Sequence, residues 1–450
     1  MGILMDRNLP EVIDLFSGCG GLALGFQAAG FTVSHGMDIV PEAVETASYN
    51  LHWRHGYSSK HICCDITKTD YFYLLDKIGP NGCIVIGGPP CQAYSLAGRA
   101  KLRSLGDDRI NTKDQRGFLY QDFLRFAIGL NARAVVMENV PESTDFGGVN
   151  VPQTVCEILG DHGYSAYWTI LNSADFGVPQ IRERVFVIAV NNSEHVNIEL
   201  PEPLFSDVTD RRTNNQKRFN TFSSFANFRL PKIPKEPLPP WVTVGEAISD
   251  LPLLFPKCNG KYMPSRMTTP LPYKTPPECE YQKQMRNWYG NAVNSVTGNC
   301  FRNTPRDFPI FDQMKQGDDY LAASNIADQL LINSCEKFKI SPDTNTDEYE
   351  RLKKLIVPPY DRTKFTTKWK KLTASEPSHT LVAHLSVDTY SHIHPFEPRG
   401  ISAREAARLQ SFPDDFLFQC SMGDAFKQIG NAVPPLLAKS IALQLMKAFT

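Results

Sequence analysis

"EVIDLFSGCGGLALGFQAAG", residues Glu11 to Gly30, decides the fold. "EVIDLF" (Glu11 to Phe16) reads as a buried strand, and "LALGFQAAG" (Leu22 to Gly30) as a helix ending at glycine. Between them Gly18, Gly20 and Gly21 allow a tight turn and the close approach of a ligand to the backbone, with the next helix aiming its N-terminus at it. The alternation continues. "FTVSHGMDI" is a second strand, and "PEAVETASYNLH" a helix opened by Pro41. "CIVIGG" is a further strand. "FLYQDFLRFAIGLN" is an amphipathic helix, and "AVVMENV" and "RVFVIAV" are strands. Strands alternating with helices predict a parallel sheet covered on both faces.

Asp38 ends the second strand about 20 residues beyond the turn, where an acid can accept hydrogen bonds from ribose hydroxyls. Asp65, in "CCDIT", is expected at the end of the third strand. Together these predict an adenosine-type pocket at the carboxyl edge of the sheet. The plainer reading is a glycine turn and two surface acids. The spacing Gly-x-Gly-Gly departs from Gly-x-Gly-x-x-Gly, which favours a cofactor without a pyrophosphate, such as S-adenosyl-L-methionine, over NAD.

"GGPPCQAYS", Gly87 to Ser95, follows an apolar strand and presents Cys91 after two rigid prolines. Prolines fix backbone torsions and so hold a nucleophile in one place. Cys19 and Cys83 are read instead as buried and inert. Glu138, in "VVMENVPE", sits at the end of an apolar strand, where partial burial raises proton affinity. Arg182 and Arg184, in "PQIRERVF", alternate and would project from one face. Two guanidiniums there suit a base, a phosphate or a carboxylate, or form an edge salt bridge.

In their order along the chain, "DLFSGCGG", "GGPPCQAYS", "ENV", "QIRER", "REAARLQSFPDDF" and "GNAVPP" resemble the motifs of the cytosine-5 DNA methyltransferases of bacterial restriction-modification systems. The resemblance covers roughly the first 190 and the last 55 residues. It implies a Rossmann-like, S-adenosylmethionine-dependent methyltransferase fold with a second, smaller, irregular target-recognition domain. It also implies roles. Cys91 would attack carbon 6 of a cytosine flipped out of the duplex, and Glu138 would contact ring nitrogen 3 and the exocyclic amine. Arg182 and Arg184 would hold the base and the catalytic loop. Phe16, Ser17, Gly18, Gly20, Gly21 and Leu22 would line the methionine side of the cofactor. Asp38 would take the ribose and Asp65 the adenine amine, with Ile39 and Ile66 beside them. Asn431 and Val433 would close the pocket. Ile39 stands where some members carry a stacking tryptophan. No metal is expected, and the expected partners are double-stranded DNA and, functionally, a cognate restriction endonuclease.

The domain boundaries expected are 1–195 for the catalytic domain, 196–395 for target recognition and 396–450 for a segment completing the first. Residues 200 to 395 are rich in Pro, Asn, Thr and Lys with weak periodicity, whereas "SAREAARLQSF" and "PPLLAKSIALQLMKAF" return to helical patterns. Seven bases lie between Arg211 and Lys235 with Phe219, Phe222, Phe225 and Phe228 interleaved, and "RTKFTTKWKKL" (Arg362 to Leu372) adds five more. The phenylalanines read as core packing and the bases as phosphate contacts.

The chain has 450 residues, 42% hydrophobic and 21% charged, which suits a globular protein with a sizeable core. The net charge of -1 shows no overall basic footprint for nucleic acid. Eleven cysteines without a Cys-x-x-Cys pair or a secretion signal read as reduced thiols in a cytoplasmic protein, expected as a monomer. No apolar run is long enough to cross a bilayer. Three rival readings remain: a tRNA cytosine-5 methyltransferase, a catalytically dead DNA-binding module, and an NAD oxidoreductase.

Overall fold

The structure is a computed structural model and describes residues 9–90, 118–207, 219–233, 237–255, 267–362 and 368–450. It divides into two compact units. The first comprises Met1–Val242, Gln410–Phe412 and Asn431–Thr450, and the second Thr243–Leu409 and Pro413–Gly430.

The first unit is built on a seven-stranded sheet. Its strands are β1 (Glu11–Leu15), β2 (Val33–Asp38), β3 (Ile62–Cys63), β4 (Cys83–Gly87), β5 (Ala134–Asn139), β6 (Tyr164–Asn172) and β7 (Glu183–Asn191). Their order across the sheet is β3-β2-β1-β4-β5-β7-β6. The first five run parallel, and β7 runs antiparallel to both β5 and β6. The sheet is therefore mixed and not purely parallel as expected. The reason is the link between β6 and β7, which holds a single 3-10 turn, Ser173–Phe176. A parallel crossover needs about a dozen residues or more, usually with a helix, so the chain returns as a hairpin instead. The reversal brings the start of β7 to the same edge as the end of β5, with Asn139 opposite Val185.

Helix α1 (Gly21–Ala29) ends at Gly30 in the left-handed conformation, and α2 (Pro41–Leu51) starts with proline in its first turn. Beyond it come α3 (Phe72–Leu75), α4 (Leu119–Gly129) and α5 (Val151–Asp161). Strand β6 and helix α5 are elements the sequence reading passed over. The core under the sheet includes Ile13, Val85, Phe123, Val135, Trp168 and Val187.

The first unit runs on to Val242, past the boundary expected at 195. Phe222, Phe225 and Phe228 pack around the buried Trp168 ring at centroid distances of 5.4, 6.0 and 4.5 Å. The phenylalanine repeat is thus core packing, and it belongs to the sheet unit.

The second unit is less irregular than its composition suggests. It contains the 19-residue helix Tyr320–Phe338, followed by Thr346–Ile356, in which no residue is buried. A helix without a buried stripe leaves no hydrophobic period to read. A small aromatic core, with Phe308, Phe311, Tyr320 and Trp369, holds the unit together.

Candidate active site

The turn after β1 is strongly bent. Phe16, Gly18 and Gly20 have φ values of 56°, 52° and 87°. A Cβ on Gly18 would meet nothing within 4 Å, so one side of the turn is open space. At Gly21 the opposite holds, since a Cβ would lie 2.5 Å from the carbonyl oxygen of Val433. At Gly25 it would lie 2.3 Å from the Cβ of Ala438, in the closing helix Pro435–Met446. Val433 and that helix therefore seat directly on α1.

Asp38 reaches across from β2. Its carboxylate accepts the Gly18 N–H at 2.8 Å and the Val40 N–H at 2.9 Å, which fixes it beside the turn. Ile39 follows with 64% of its surface exposed. An exposed aliphatic side chain next to a fixed acid is a suitable cover for a purine face. Asp65 lies one turn away as the cap of a short 3-10 helix, where its carboxylate accepts from Thr67 N–H and Oγ1 and pairs with Lys68 at 3.2 Å. The Thr67 and Lys68 contacts hold its carboxyl below the usual range. Its expected adenine contact would have to share that carboxylate with Thr67 and Lys68. Ile66 differs from expectation more clearly. Its side chain is buried in the sheet core, because the 3-10 turn rotates it inward, so only its backbone could face a cofactor. Asp14, at the root of the turn, is buried, and its carboxyl is pushed well above the usual range by burial and by Asp38.

At the end of β5, Glu138 is buried and pairs with Arg184 Nε at 3.0 Å. Burial raises its proton affinity, and Arg184 and Arg182 only partly offset this. Arg182 is fully buried and donates from Nη2 to the Ala432 carbonyl at 3.2 Å, inside "GNAVPP". Two glutamines that sequence reasoning did not single out complete this frame. Gln410 Nε2 donates to the same Ala432 carbonyl at 2.6 Å, and Gln180 Nε2 donates to Gln410 Oε1 at 2.5 Å. Both lie inside quoted motifs, which was the available signal. The two arginines thus do different things: Arg184 meets the carboxylate, and Arg182 holds the C-terminal segment.

The "GGPP" arm reaches the same place. A Cβ on Gly88 would be 3.0 Å from Glu138 Oε2, and the Pro89 carbonyl accepts from Asn139 Nδ2 at 3.4 Å. Cys91 itself lies outside the described residues. Cys19 and Cys83 are buried, and burial pushes the Cys83 thiol up to about 12, which keeps it inert. Asn431 is exposed at the closing segment.

A family model for C-5 cytosine-specific DNA methylase matches residues 11–447. The chain belongs to that family. It is 54% identical over 448 residues to a protein of Oceanobacillus iheyensis named as a type II methyltransferase, covering 98% of this chain and 96% of that one. The type II methyltransferase M.AgeI of Thalassovita gelatinovora is 31% identical over 467 residues, covering 96% and 98%. A crystal structure described as a DNA modification methyltransferase encoded within an E. coli prophage shares the fold, with a TM-score of 0.63 at 22% identity over 97% of this chain and 98% of that one. The enzyme is a DNA cytosine methyltransferase, and its family uses S-adenosylmethionine. The open face at Gly18, the fixed Asp38 carboxylate and the exposed Ile39 fit that cofactor. No described helix is long and apolar enough to cross a membrane.

Outside this site, one group of three among the described residues has the ligand spacing for a metal: His394, Glu397 and Glu405. The Arg399 guanidinium already fills it, bonding both carboxylates at 2.7 to 3.2 Å. In the basic stretch from Arg362 to Leu372, read as phosphate contacts, three of the bases have partners within the protein. Arg362 pairs with Asp328 and Lys368 with Asp388. Lys371 is buried, donating to the Phe311 and Met314 carbonyls. In the other stretch, Arg229 bonds the Ile198 carbonyl, and Lys232 pairs with Glu199 and Glu202. Residues 211–218 lie outside the described residues.

Proposed function

We propose that the sheet edge carrying Glu138 and Arg184 methylates carbon 5 of a cytosine flipped from duplex DNA, through a transient bond to Cys91. The observation that carries this reading is a buried carboxyl with raised proton affinity, one guanidinium on it, and the "GGPP" arm against it. The Cys91 thiolate adds to carbon 6, making carbon 5 an enamine carbon while Glu138 shares a proton with ring nitrogen 3. S-adenosylmethionine, when bound, supplies an electrophilic methyl group. Loss of the carbon-5 proton to a base then lets the thiolate leave and restores the aromatic ring. Arg184 orients Glu138. Arg182, through Ala432, keeps the closing segment over the cofactor turn, where Phe16, Ser17, Gly18, Gly20, Gly21, Leu22, Asp38 and Ile39 line the pocket.

The unit from Thr243 to Leu409 occupies the family's insertion site for target recognition, and the relatives' names support a role in protecting a specific sequence from a cognate restriction endonuclease. Duplex DNA carrying 5-fluorocytosine tests the chemistry, because fluorine cannot leave as a proton. A denaturant-stable adduct is expected with the wild type and not with Cys91→Ser. An adduct that survives that substitution would overturn the assignment.

A further inference from the structure

Ser17 stands at the entrance of the cofactor turn, and its surroundings are unusual for a serine. Its N–H donates to the Met37 carbonyl at 3.0 Å, pinning the backbone between β1 and β2. Its Oγ lies 3.0 Å from Nδ1 of His61, 44 residues later in the chain, in a buried contact. Among the described residues this is the only partner of that oxygen.

His61 is held on every side. Its backbone N–H donates to Ser48 Oγ in α2 at 3.0 Å. Its ring lies on the bare face of Gly36, where a Cβ would be 2.2 Å from the ring atoms. The His52 ring packs beside it at 5.3 Å between centroids. Burial first, then the neighbouring His52 and His35, pulls His61 down to about 3. The imidazole is therefore neutral at any working pH and carries one proton.

That proton has two possible seats. His61 Nε2 is buried and has no hydrogen-bond partner among the described residues. Placing the proton there would bury an unpaired N–H, which is rarer and costlier than an unpaired acceptor. The favoured tautomer has the proton on Nδ1, donated to Ser17 Oγ. The serine hydroxyl is then an acceptor toward His61, and its own hydrogen must point elsewhere. It points from a residue next to the open side of Gly18, below the N-terminus of α1, where a helix leaves amides unpaired and favours an anion.

We propose that His61 is a positioning residue: its Nδ1–H fixes the Ser17 hydroxyl as a donor to the carboxylate of the bound cofactor. This rests on the cofactor reading above. The role is one of orientation, since His61 acts through the Ser17 hydroxyl.

Calorimetric binding of two ligands tests it. S-adenosylhomocysteine carries the carboxylate, and 5′-methylthioadenosine keeps the adenosine and thioether without it. If the wild type binds neither, the cofactor reading falls, and that failure is separate from the outcome for His61. His61→Phe keeps an aromatic ring, somewhat larger, and removes the donor. It should weaken S-adenosylhomocysteine about tenfold or more, the scale of a hydrogen bond to a charged group, and leave 5′-methylthioadenosine unchanged. His61→Asn, whose amide N–H lies near the Nδ1 position, should recover most of the loss. Ser17→Ala should match His61→Phe, and the double variant should lose no more than either alone. Equal loss for both ligands, or additive losses, overturns the proposal. Should His61→Phe fail to fold by circular dichroism, Ser17→Ala decides, and an unchanged preference between the two ligands in that variant overturns it too.

Discussion

Two sets of buried arginines and carboxylates divide this molecule. In the second unit, Arg399 and Arg408 are fully buried, and each spends all five of its N–H donors. Arg399 bonds Glu397, Glu405 and the Gly400 carbonyl. Arg408 bonds Asp414, Asp250 and the Ala247 carbonyl. In the first unit, among the described residues, Arg184 spends two, on Glu138 and on the carbonyl of Glu183. The same residue types make a saturated brace in one place and an open site in the other. A saturated ion pair has nothing left to offer a substrate. An unsaturated buried one is costly to fold and is retained for its chemistry.

The comparison breaks most visibly if the braces are cut. Arg408→Leu leaves buried Asp414 with the Tyr273 hydroxyl and buried Asp250 with Arg286 alone, and should cost about 3 kcal/mol, read as a lowered melting temperature. Glu138→Gln should behave in the other way: turnover falls on the order of a hundredfold or more, while stability at neutral pH does not fall. A Glu138→Gln protein that melts far below the wild type would erase the distinction. Two glycines sharpen it on a smaller scale. Gly25→Ala drives a methyl into Ala438 and should cost about 1–3 kcal/mol of stability. Gly18→Ala meets no atom but strains a left-handed turn, costing about 1 kcal/mol while weakening S-adenosylhomocysteine binding.

The subtlest test is pH. Burial alone would raise Glu405, but Arg399 and then His394 outweigh it and pull its carboxyl down to about 2. A lowered acid stabilises the fold above the unfolded-state range near 4.5, and that contribution is lost as pH falls from there toward about 2. Glu138 is raised, so its sign is reversed: stability declines as pH climbs from about 4.5 through its folded value. Melting curves of Glu405→Gln and Glu138→Gln against pH should therefore diverge from the wild type in opposite directions above that range.

What could be read in the sequence follows the same division. Strand β1, its glycine turn and α1 were legible because apolar runs and glycines at a fixed spacing have few alternatives. Glu138 and the arginines were legible as residue types, but their division of labour was not. Arg182 finds its acceptor at Ala432, 250 residues away, and no local pattern encodes such a pairing. Strand β6 was missed although "YSAYWTILN" is rich in aromatic and β-branched residues, because the helix before it, α5, was passed over too and no alternation led to it. Lys371 was misread because a buried lysine capping carbonyls has the same letter as one facing phosphate. His61 gave no signal at all, since its partner is a serine on another strand's turn.

The first unit is closed by chain that is made long after its sheet. Gly21, Gly25 and Arg182 receive Val433, Ala438 and the Ala432 carbonyl only after the whole of Thr243–Leu409 has been synthesised. A nascent polypeptide still on the ribosome therefore carries every strand of the sheet and yet has an unlatched methyl-donor cradle. The cradle is latched only when that late segment docks on the sheet unit.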